Sequence, residues 1–426
     1  MKIVLIGAGS FVFAPSLLYD AIVDHRLADS ELALVDLDAD LANAMAAVGQ
    51  RMAQEVGVSI RIWSTTARRQ ALPAADFVIL CAEVQGARRW SIDFEILKRW
   101  GIPDQARECG GVGGLGKSMR TIPLALEVAR DMEQLCPRAW LLDVTNPMPR
   151  IVTAVTRHTT IRALGFCNVA WGGYPGYQWL ARLVGRSAQE IDVITAGLNH
   201  FAWLLMIRDR TTGEDLYPQV EAAVRQGASQ DLAILRRWLD RYGGIGVSGP
   251  THMADFLPPD PDFPYRVTPP YHGTPEERQR RIAQLRAIAA GEGDWRPLLE
   301  HRSWERPLDL AVAQLNRREA TFDMLNLPND GALAQLPLGR VVEVPAVVRD
   351  GVVSGRAVPP LPSGVAEICR AVSDVNEAVA DAVATRDRAL AEHALAIDPA
   401  VSDLDAARGA LAEMIEAHAD IVPPLQ

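Results

Sequence analysis

The chain has 426 residues and a formal net charge of -10, with 49% hydrophobic and 23% charged residues. This composition is typical of a globular protein, and the length allows two domains. The acidic balance disfavours a nucleic-acid partner, and no apolar run approaches the ~20 residues that cross a membrane. Five cysteines without CxxC spacing exclude a disulfide framework and predict a reducing cytoplasm.

The first residues predict a dinucleotide site. Lys2 to Ile6 form an apolar strand that runs directly into Gly7-Ala8-Gly9-Ser10. In such a turn the first glycine allows the tight bend and the second lets the backbone approach a pyrophosphate, although Val12 stands where a third small residue is usual. The next apolar run ends at Asp36, which favours NAD over NADP because an acid there binds ribose hydroxyls; the alternative is an ordinary helix N-cap.

Apolar runs alternate with amphipathic stretches through residues 1–195, which predicts an α/β fold with an N-terminal Rossmann-type doubly wound sheet. The predicted strands are Lys2 to Ile6, Leu32 to Val35, Ile60 to Trp63, Phe77 to Leu80, Trp140 to Val144 and Ile161 to Phe166, and the helices are Ser16 to His25, Ala39 to Glu55 and Arg120 to Leu135. Residues 196–426 are expected to form a mainly helical α+β domain for substrate binding and oligomerisation. A strand pair is predicted from Asp192 to Arg208, across this boundary. The later predicted elements are helices at Gln219 to Tyr242, Ser363 to Leu395 and Leu404 to His418, and a strand at Arg340 to Val348.

Polar residues follow three of the apolar runs, at Asp143 to Pro147, Gly165 to Asn168 and Gly197 to His200. The carboxyl ends of parallel strands share one edge of a sheet, so these residues are expected to converge where such folds bind ligands. Cys167 and His200 could hold one divalent cation, or could be a buried packing cysteine and a satisfied core histidine. Asn146 is either a ligand contact or a turn residue before Pro147.

The segment Glu108 to Arg120 is rich in glycine and partly meets phosphate-loop spacing, with Gly111 followed by Gly116-Lys117-Ser118. We reject a nucleotide triphosphatase because the preceding residues are not an apolar strand. Backbone amides that approach a substrate or a nicotinamide explain the glycines better, and a purely structural turn is the alternative.

Taken together, the motifs resemble glycoside hydrolase family 4, the NAD-dependent and usually manganese-dependent glycosidases. The matching stretches are Gly7 to Phe13, Leu34 to Asp38, Asp93 to Gly101, Gly113 to Pro123, Asn146-Pro147, Gly165 to Cys167, Gly197 to His200, Val342 to Pro345 and Asp398-Pro399. The resemblance implies that NAD takes hydride from C3 of a hexoside, a base removes the C2 proton, the aglycone leaves by β-elimination, water adds, and the hydride returns. It also implies a homodimer or homotetramer.

The resemblance implies roles for individual residues in binding the cofactor, metal and substrate and in catalysis. NAD would contact Gly7, Gly9, Ser10, Phe11, Asp36 and Asn146; a metal such as manganese would be held by Cys167 and His200; the substrate would contact Asn146, Asn168, Arg120 and His252; and the catalytic groups would be Tyr265, Asp255 and His200. Asn168 replaces an acid that protonates the leaving oxygen in one branch of the family. For the base, Tyr265 is the nearest match and Tyr271 the next; in an alternative alignment Phe256 replaces the tyrosine, which leaves Asp255 or His252.

The substrate is expected to be a small-molecule glycoside with either an anionic C6 group or a neutral one. A 6-phosphoglycoside or a sulfoquinovoside would be the anionic form, and an α-glucoside or α-galactoside the neutral form. Side chains suited to sugar stacking or anion binding are Trp90, Trp171, Trp203, Lys117, Arg120 and Arg266. An NAD-dependent sugar or hydroxy-acid dehydrogenase and a catalytically silent NAD sensor remain alternatives.

Overall fold

The computed structural model describes residues 1–11, 13–172, 176–267, 274–299 and 304–426. Its strands are β1 Lys2–Ile6, β2 Ser30–Val35, β3 Ile60–Thr65, β4 Phe77–Leu80, β5 Trp140–Asp143, β6 Arg162–Gly165, β7 Ile191–Leu198, β8 Phe201–Asp209, β9 Ala320–Pro328, β10 Val341–Arg349 and β11 Val352–Gly355. Its α-helices are α1 Ala14–Tyr19, α2 Ala39–Val56, α3 Arg68–Ala71, α4 Gly86–Arg99, α5 Gly111–Leu135, α6 Met148–His158, α7 Gln178–Leu183, α8 Tyr217–Gln226, α9 Gln230–Tyr242, α10 Pro250–Met253, α11 Pro275–Ala289, α12 Arg296–Leu299, α13 Pro307–Leu315, α14 Ser363–Thr385, α15 Arg388–Ile397 and α16 Leu404–Ala417.

One sheet runs through the protein in the order β3-β2-β1-β4-β5-β6-β9-β10-β7-β8, with β11 paired to β10. The first six strands in this order are parallel, and the remaining pairs are antiparallel. Two large hydrophobic clusters pack on the sheet, which explains why β1 and β4 read as unbroken apolar runs. The structure confirms the predicted fold class.

The glycine-rich segment differs from the prediction, because α5 begins at Gly111 rather than at Arg120. Glycine is a poor helix former, but here tertiary contacts decide. A Cβ atom at Gly113 would lie 2.6 Å from the carbonyl oxygen of Gln105, and one at Gly114 would lie 2.4 Å from the carbonyl carbon of Cys109. The glycines therefore let the start of α5 pack closely on the preceding backbone.

The second half of the chain also departs from the predicted boundaries. The single helix predicted from Gln219 to Tyr242 is two helices, α8 and α9, and the one from Ser363 to Leu395 is α14 and α15. Strand β9 was not predicted. Strand β7 spans residue 195 within the continuous sheet, and the division of the chain at that residue stays a prediction. Among the described helices, none has the length and apolar character needed to cross a membrane.

Candidate active site

The glycine turn after β1 has the geometry of a dinucleotide cradle. Gly7 has φ +98°, and a Cβ atom there would lie 2.8 Å from the backbone nitrogen of Ala82. The Gly9 N–H donates to Asp36 Oδ2 at 2.7 Å, and a Cβ atom on Gly9 would approach the same oxygen at 2.9 Å. At Gly7 the backbone leaves room only for glycine, and at Gly9 a Cβ atom would displace the Asp36 carboxylate, so the turn suits close approach by a pyrophosphate.

Asp36 is not the N-cap of α2. That role belongs to Asp38, whose side chain accepts from the Leu41 N–H at 3.1 Å. Asp36 instead lies half-buried beside the turn, where its Oδ1 accepts from the Asp38 N–H at 3.0 Å. Each carboxylate oxygen retains a second lone pair, so the side chain can still accept from ribose hydroxyls.

Two further predicted cofactor residues, Ser10 and Phe11, are half-buried between this turn and α1, whereas Val12 lies outside the described residues. Asn146, after β5, is also half-buried, and its Nδ2 donates to Glu108 Oε1 at 3.3 Å. Asn146 therefore bonds the first residue of the glycine-rich segment.

The strand order explains how distant residues reach one edge of the sheet. Gly165 of β6 lies opposite Asn326 of β9, Asn326 lies opposite Glu343 of β10, and Glu343 lies opposite Gly197 of β7. Cys167 follows this row by two residues, and the turn Asn199–His200 follows it on the other side. The antiparallel pair β9 and β10 therefore lies between the two predicted metal-binding segments.

His200 is the second residue of the two-residue turn that joins β7 to β8. It has φ +60° and is 3% exposed. This conformation is unfavourable for a side chain with a Cβ atom and costs about 1 kcal/mol or more, as is common at functional sites. Burial and the neighbouring His252 lower the pKa of His200 to about 3, so its imidazole is neutral, which is the metal-binding form.

Two other side chains meet His200. The ligand atoms of Glu108, Cys109 and His200 lie within 4.8 Å of one another, and Cys109 Sγ lies 3.7 Å from His200 Nδ1. Lys117 Nζ bonds Glu108 at 2.8 Å. Burial alone would raise the pKa of Glu108, but the Lys117 ammonium and a hydrogen bond from Asn146 act against burial and lower that pKa. The cluster thus holds an ionised carboxylate, a thiol and a neutral imidazole, which are all metal-ligand types.

Cys167, the predicted partner of His200, lies beside Asn199, whose amide interacts with its thiol. Burial raises the pKa of this thiol above its usual value, and Asn199 opposes that effect. Cys109 contacts His200 directly, whereas Cys167 is not one of the side chains whose ligand atoms cluster with His200 among the described residues. The donor set around this turn fits a divalent cation.

Tyr265 and Asp255 form a hydrogen-bonded pair next to this cluster. The Tyr265 hydroxyl donates to Asp255 Oδ1 at 2.7 Å, and Asp255 Oδ2 accepts from the Cys109 N–H at 2.9 Å. Burial raises the pKa of Asp255 to about 6, against the effect of these two bonds. Burial and then the Asp255 carboxylate raise the pKa of Tyr265. Since Cys109 contacts His200, the three predicted catalytic residues belong to one network.

Several neighbours stabilise this pair and its link to the cluster. The Arg107 guanidinium lies 4.9 Å from the centre of the Tyr265 ring and donates to the Asp255 carbonyl oxygen at 3.2 Å. A Cβ atom at Gly110 would come within 1.8 Å of that same oxygen. His252 meets the ring of His200 edge-on, with centroids 4.7 Å apart. Glycine at position 110 therefore allows the loop that carries Asp255 to touch the start of α5.

Not every predicted site residue lies near His200 and the Tyr265–Asp255 pair. Arg120 is 3% exposed and its NH1 donates to Asp93 at 2.7 Å in an interior cluster with His418, so the structure does not offer it to a substrate. Trp203 is fully buried and cannot stack on a sugar. Asn168 is half-buried after Cys167, and Tyr271 lies outside the described part of the chain.

Sequence reasoning missed Glu108 and Cys109, which it had grouped with the glycines, and Glu343, which it had treated only as part of a family motif. Glu343 accepts hydrogen bonds from Asn199 and Asn326 inside the sheet. The acid-cysteine pair just before a glycine run was the available signal for the first two. No local pattern marks Glu343, because its partners come from two other strands.

Comparison with known proteins assigns the family. Residues 2–176 match the profile described as family 4 glycosyl hydrolase, and residues 195–401 match the profile of its C-terminal domain. The chain belongs to this family and is a glycosidase.

The chain is 28% identical to an α-galactosidase of Bacillus subtilis over 433 residues, which covers 99% of both chains. Among solved structures, it superimposes on a putative glucosidase, LplD, from Bacillus subtilis with TM-score 0.83 and 27% identity, covering 97% of this chain and 99% of that one. A 6-phospho-α-glucosidase from gut microorganisms, solved in complex with NAD and Mn²⁺, shares the fold with TM-score 0.78 and 22% identity, covering 100% and 99%.

Proposed function

We propose that the protein is an NAD-dependent glycosidase that cleaves hexosides by oxidation at C3 and elimination across C1 and C2, with a divalent cation such as manganese. The observation that carries this proposal is the buried Tyr265–Asp255 pair, joined through Cys109 to His200. A dehydrogenase needs one proton acceptor for the hydroxyl that it oxidises. The Tyr265–Asp255 pair beside the ligand cluster can accept a further proton, which suits removal of a proton from carbon.

The residues that would hold NAD lie at the glycine turn after β1, and those that would hold the cation lie near the Asn199–His200 turn. NAD, when bound, supplies the hydride acceptor, and a divalent cation stabilises negative charge on the substrate oxygens. The glycine turn with Ser10 and Phe11 would hold the pyrophosphate, and Asp36 the adenosine ribose. Asn146 would lie on the nicotinamide and substrate side. Cys167 and His200 would hold the cation.

The Tyr265–Asp255 pair provides a route for the C2 proton. Once C3 is a ketone, the C2–H bond is acidified, and the Tyr265 oxygen accepts that proton while its own hydroxyl proton passes to Asp255 Oδ1. The electron pair left at C2 forms the C1=C2 double bond while the C1–O bond breaks, and the aglycone oxygen leaves with that bond's electron pair and takes up a proton. Water then adds its oxygen at C1, and the proton that it releases replaces the one taken by the aglycone. Tyr265 delivers to C2 a proton that has exchanged with solvent, and hydride returns to C3. The cofactor therefore ends each turnover in its original oxidation state.

The pairing of two cations near the site, Lys117 and Arg107, favours a substrate with an uncharged C6 group. Lys117 lies between two carboxylates, at 2.8 Å from Glu108 and 3.1 Å from Glu83. Arg107 donates to backbone carbonyls, including that of Ala254 at 2.8 Å. Because these two cations are already neutralised or saturated by the protein, neither is free to fork a phosphate or sulfonate.

The test is a panel of aryl glycosides assayed with added NAD and Mn²⁺. The panel contains α-galactosides, α-glucosides, 6-phosphoglycosides and sulfoquinovosides. We expect hydrolysis that requires both additions, proceeds without NADH accumulation and is fastest for a neutral α-hexoside. Net NADH formation without aglycone release would instead establish a dehydrogenase, and preference for the phosphate or sulfonate would refute the uncharged C6 group.

A further inference from the structure

Glu343 is a buried carboxylate bound only by neutral donors among its recorded hydrogen bonds. It is 2% exposed on β10, and one oxygen, Oε2, accepts from Asn326 Nδ2 at 3.0 Å and from Asn199 Nδ2 at 3.1 Å. The ion pairs recorded for the described residues do not include Glu343. Burial raises the pKa of Glu343 to about 7, against the effect of these two bonds. A buried carboxyl group without a cation is costly when ionised, so its presence in the sheet requires an explanation beyond packing.

Asn199 connects this carboxylate to both predicted metal ligands. An asparagine amide has two N–H groups. One bonds Glu343, and the amide lies close enough to the Cys167 thiol to lower its pKa. In the chain Asn199 directly precedes His200, whose left-handed backbone completes the turn. A single side chain therefore links the segment after β6 to the turn between β7 and β8.

The backbone register explains why Glu343 can anchor this link. Its direct neighbours across the sheet are Asn326 on one side and Gly197 on the other. Gly197 has φ +149° and lies two residues before Asn199, and a Cβ atom there would come within 2.5 Å of the Phe201 carbonyl oxygen. The β7–β8 hairpin is thus tightly closed at Gly197, which lies opposite Glu343, and the Asn199 amide that follows donates to the Glu343 carboxylate.

We infer that Glu343 is a positioning residue, which fixes the Asn199 amide and through it sets the relative places of Cys167 and His200. The role of these two residues as cation ligands rests on the proposed function. Partners that orient metal ligands typically contribute 10- to 100-fold in metal affinity. Glu343 acts as a hydrogen-bond acceptor, so glutamine, which keeps a side-chain oxygen, replaces it and alanine does not.

The first experiment measures Mn²⁺ affinity of the NAD-loaded protein by electron paramagnetic resonance of free Mn²⁺. We expect Glu343→Ala to weaken affinity about 10- to 100-fold and Glu343→Gln to stay within about threefold of wild type. Asn326→Ala is the matched control, because it removes the other bond to the same oxygen and leaves Asn199 in place. It should lower the melting temperature but change Mn²⁺ affinity no more than about threefold.

The second experiment does not depend on the metal. In crystal structures without added metal, Asn199 should leave Cys167 in Glu343→Ala and remain beside it in Glu343→Gln. An unmoved turn in Glu343→Ala, unchanged Mn²⁺ affinity in that variant, or an equal loss in Asn326→Ala would overturn the inference. If wild type binds no Mn²⁺, the metal assignment in the proposed function fails, and the crystal structures alone decide whether Glu343 positions the turn.

Discussion

Replacing Asp255 by asparagine tests the proton route most specifically. The amide keeps the size of the side chain and can still accept the Cys109 N–H, but it cannot take the proton of Tyr265. General acid–base catalysis contributes about 10²- to 10⁴-fold, so we expect Asp255→Asn to lower kcat/KM by about 10²- to 10³-fold, or about 3–4 kcal/mol of barrier.

The pH dependence gives this variant a signature that misfolding would not. Burial raises the pKa of Asp255 to about 6, and only the ionised form can accept from Tyr265. In wild type kcat/KM should therefore rise tenfold per pH unit below about 6 and level off above it, whereas Asp255→Asn should lack this limb. The measurement is kcat/KM for the best glycoside between pH 4.5 and 8.5.

Asp262→Asn is the matched control, because Asp262 lies in the same loop but is exposed and paired with Arg237. It should retain the wild-type rate and the acidic limb. Tyr265→Phe should lose about as much activity as Asp255→Asn, and the double variant should be little worse than either, since the two groups act as a unit. Asp255→Asn with an intact limb near pH 6, or with a rate within tenfold of wild type, would refute the reasoning.

Three further predictions concern the cofactor, the cation and the interior. Asp36→Ala should weaken NAD binding by at least tenfold in a fluorescence titration and reduce the preference for NAD over NADP; an unchanged NAD affinity would contradict the cradle. Cys167→Ser should weaken Mn²⁺ binding more than Cys109→Ser does in an equilibrium titration, and the reverse order would move the cation to the Glu108 cluster. Arg120→Met leaves the Asp93 carboxylate buried without its guanidinium partner, so chemical denaturation should show about 3–5 kcal/mol less stability. A variant that is as stable as wild type but binds substrate more weakly would indicate that Arg120 contacts the substrate.

The parallel half of the fold was predictable because its signals are local. Strands buried on both faces read as apolar runs, and the Gly7 to Ser10 turn and Asp36 follow them at positions that the backbone dictates. The start of α5 was not predictable from propensity, because the fit of Gly113 and Gly114 against the preceding backbone overrides the weak helix preference of glycine.

A site residue that directly follows a strand could be predicted from the sequence. A residue whose role depends on partners from distant parts of the chain could not. His200 was predicted because it follows an apolar strand, and Asp255 and Tyr265 were predicted from the family resemblance; the three lie in one network, and their catalytic roles stay a prediction. Glu343 was not, because β9 and β10 insert between β6 and β7, and this order cannot be read from periodicity. Arg120 looked suited to an anionic substrate, but its partners Asp93 and His418 come from α4 and from the end of α16.

The central claim is that a redox cofactor serves a reaction with no net oxidation. The most direct measurement is hydrolysis in D₂O with NAD and Mn²⁺, with the product sugar analysed for deuterium and absorbance at 340 nm followed throughout. The account predicts one deuterium at C2 of the product and no accumulation of NADH. Hydrolysis without deuterium at C2, or NADH formed in proportion to product, would contradict it.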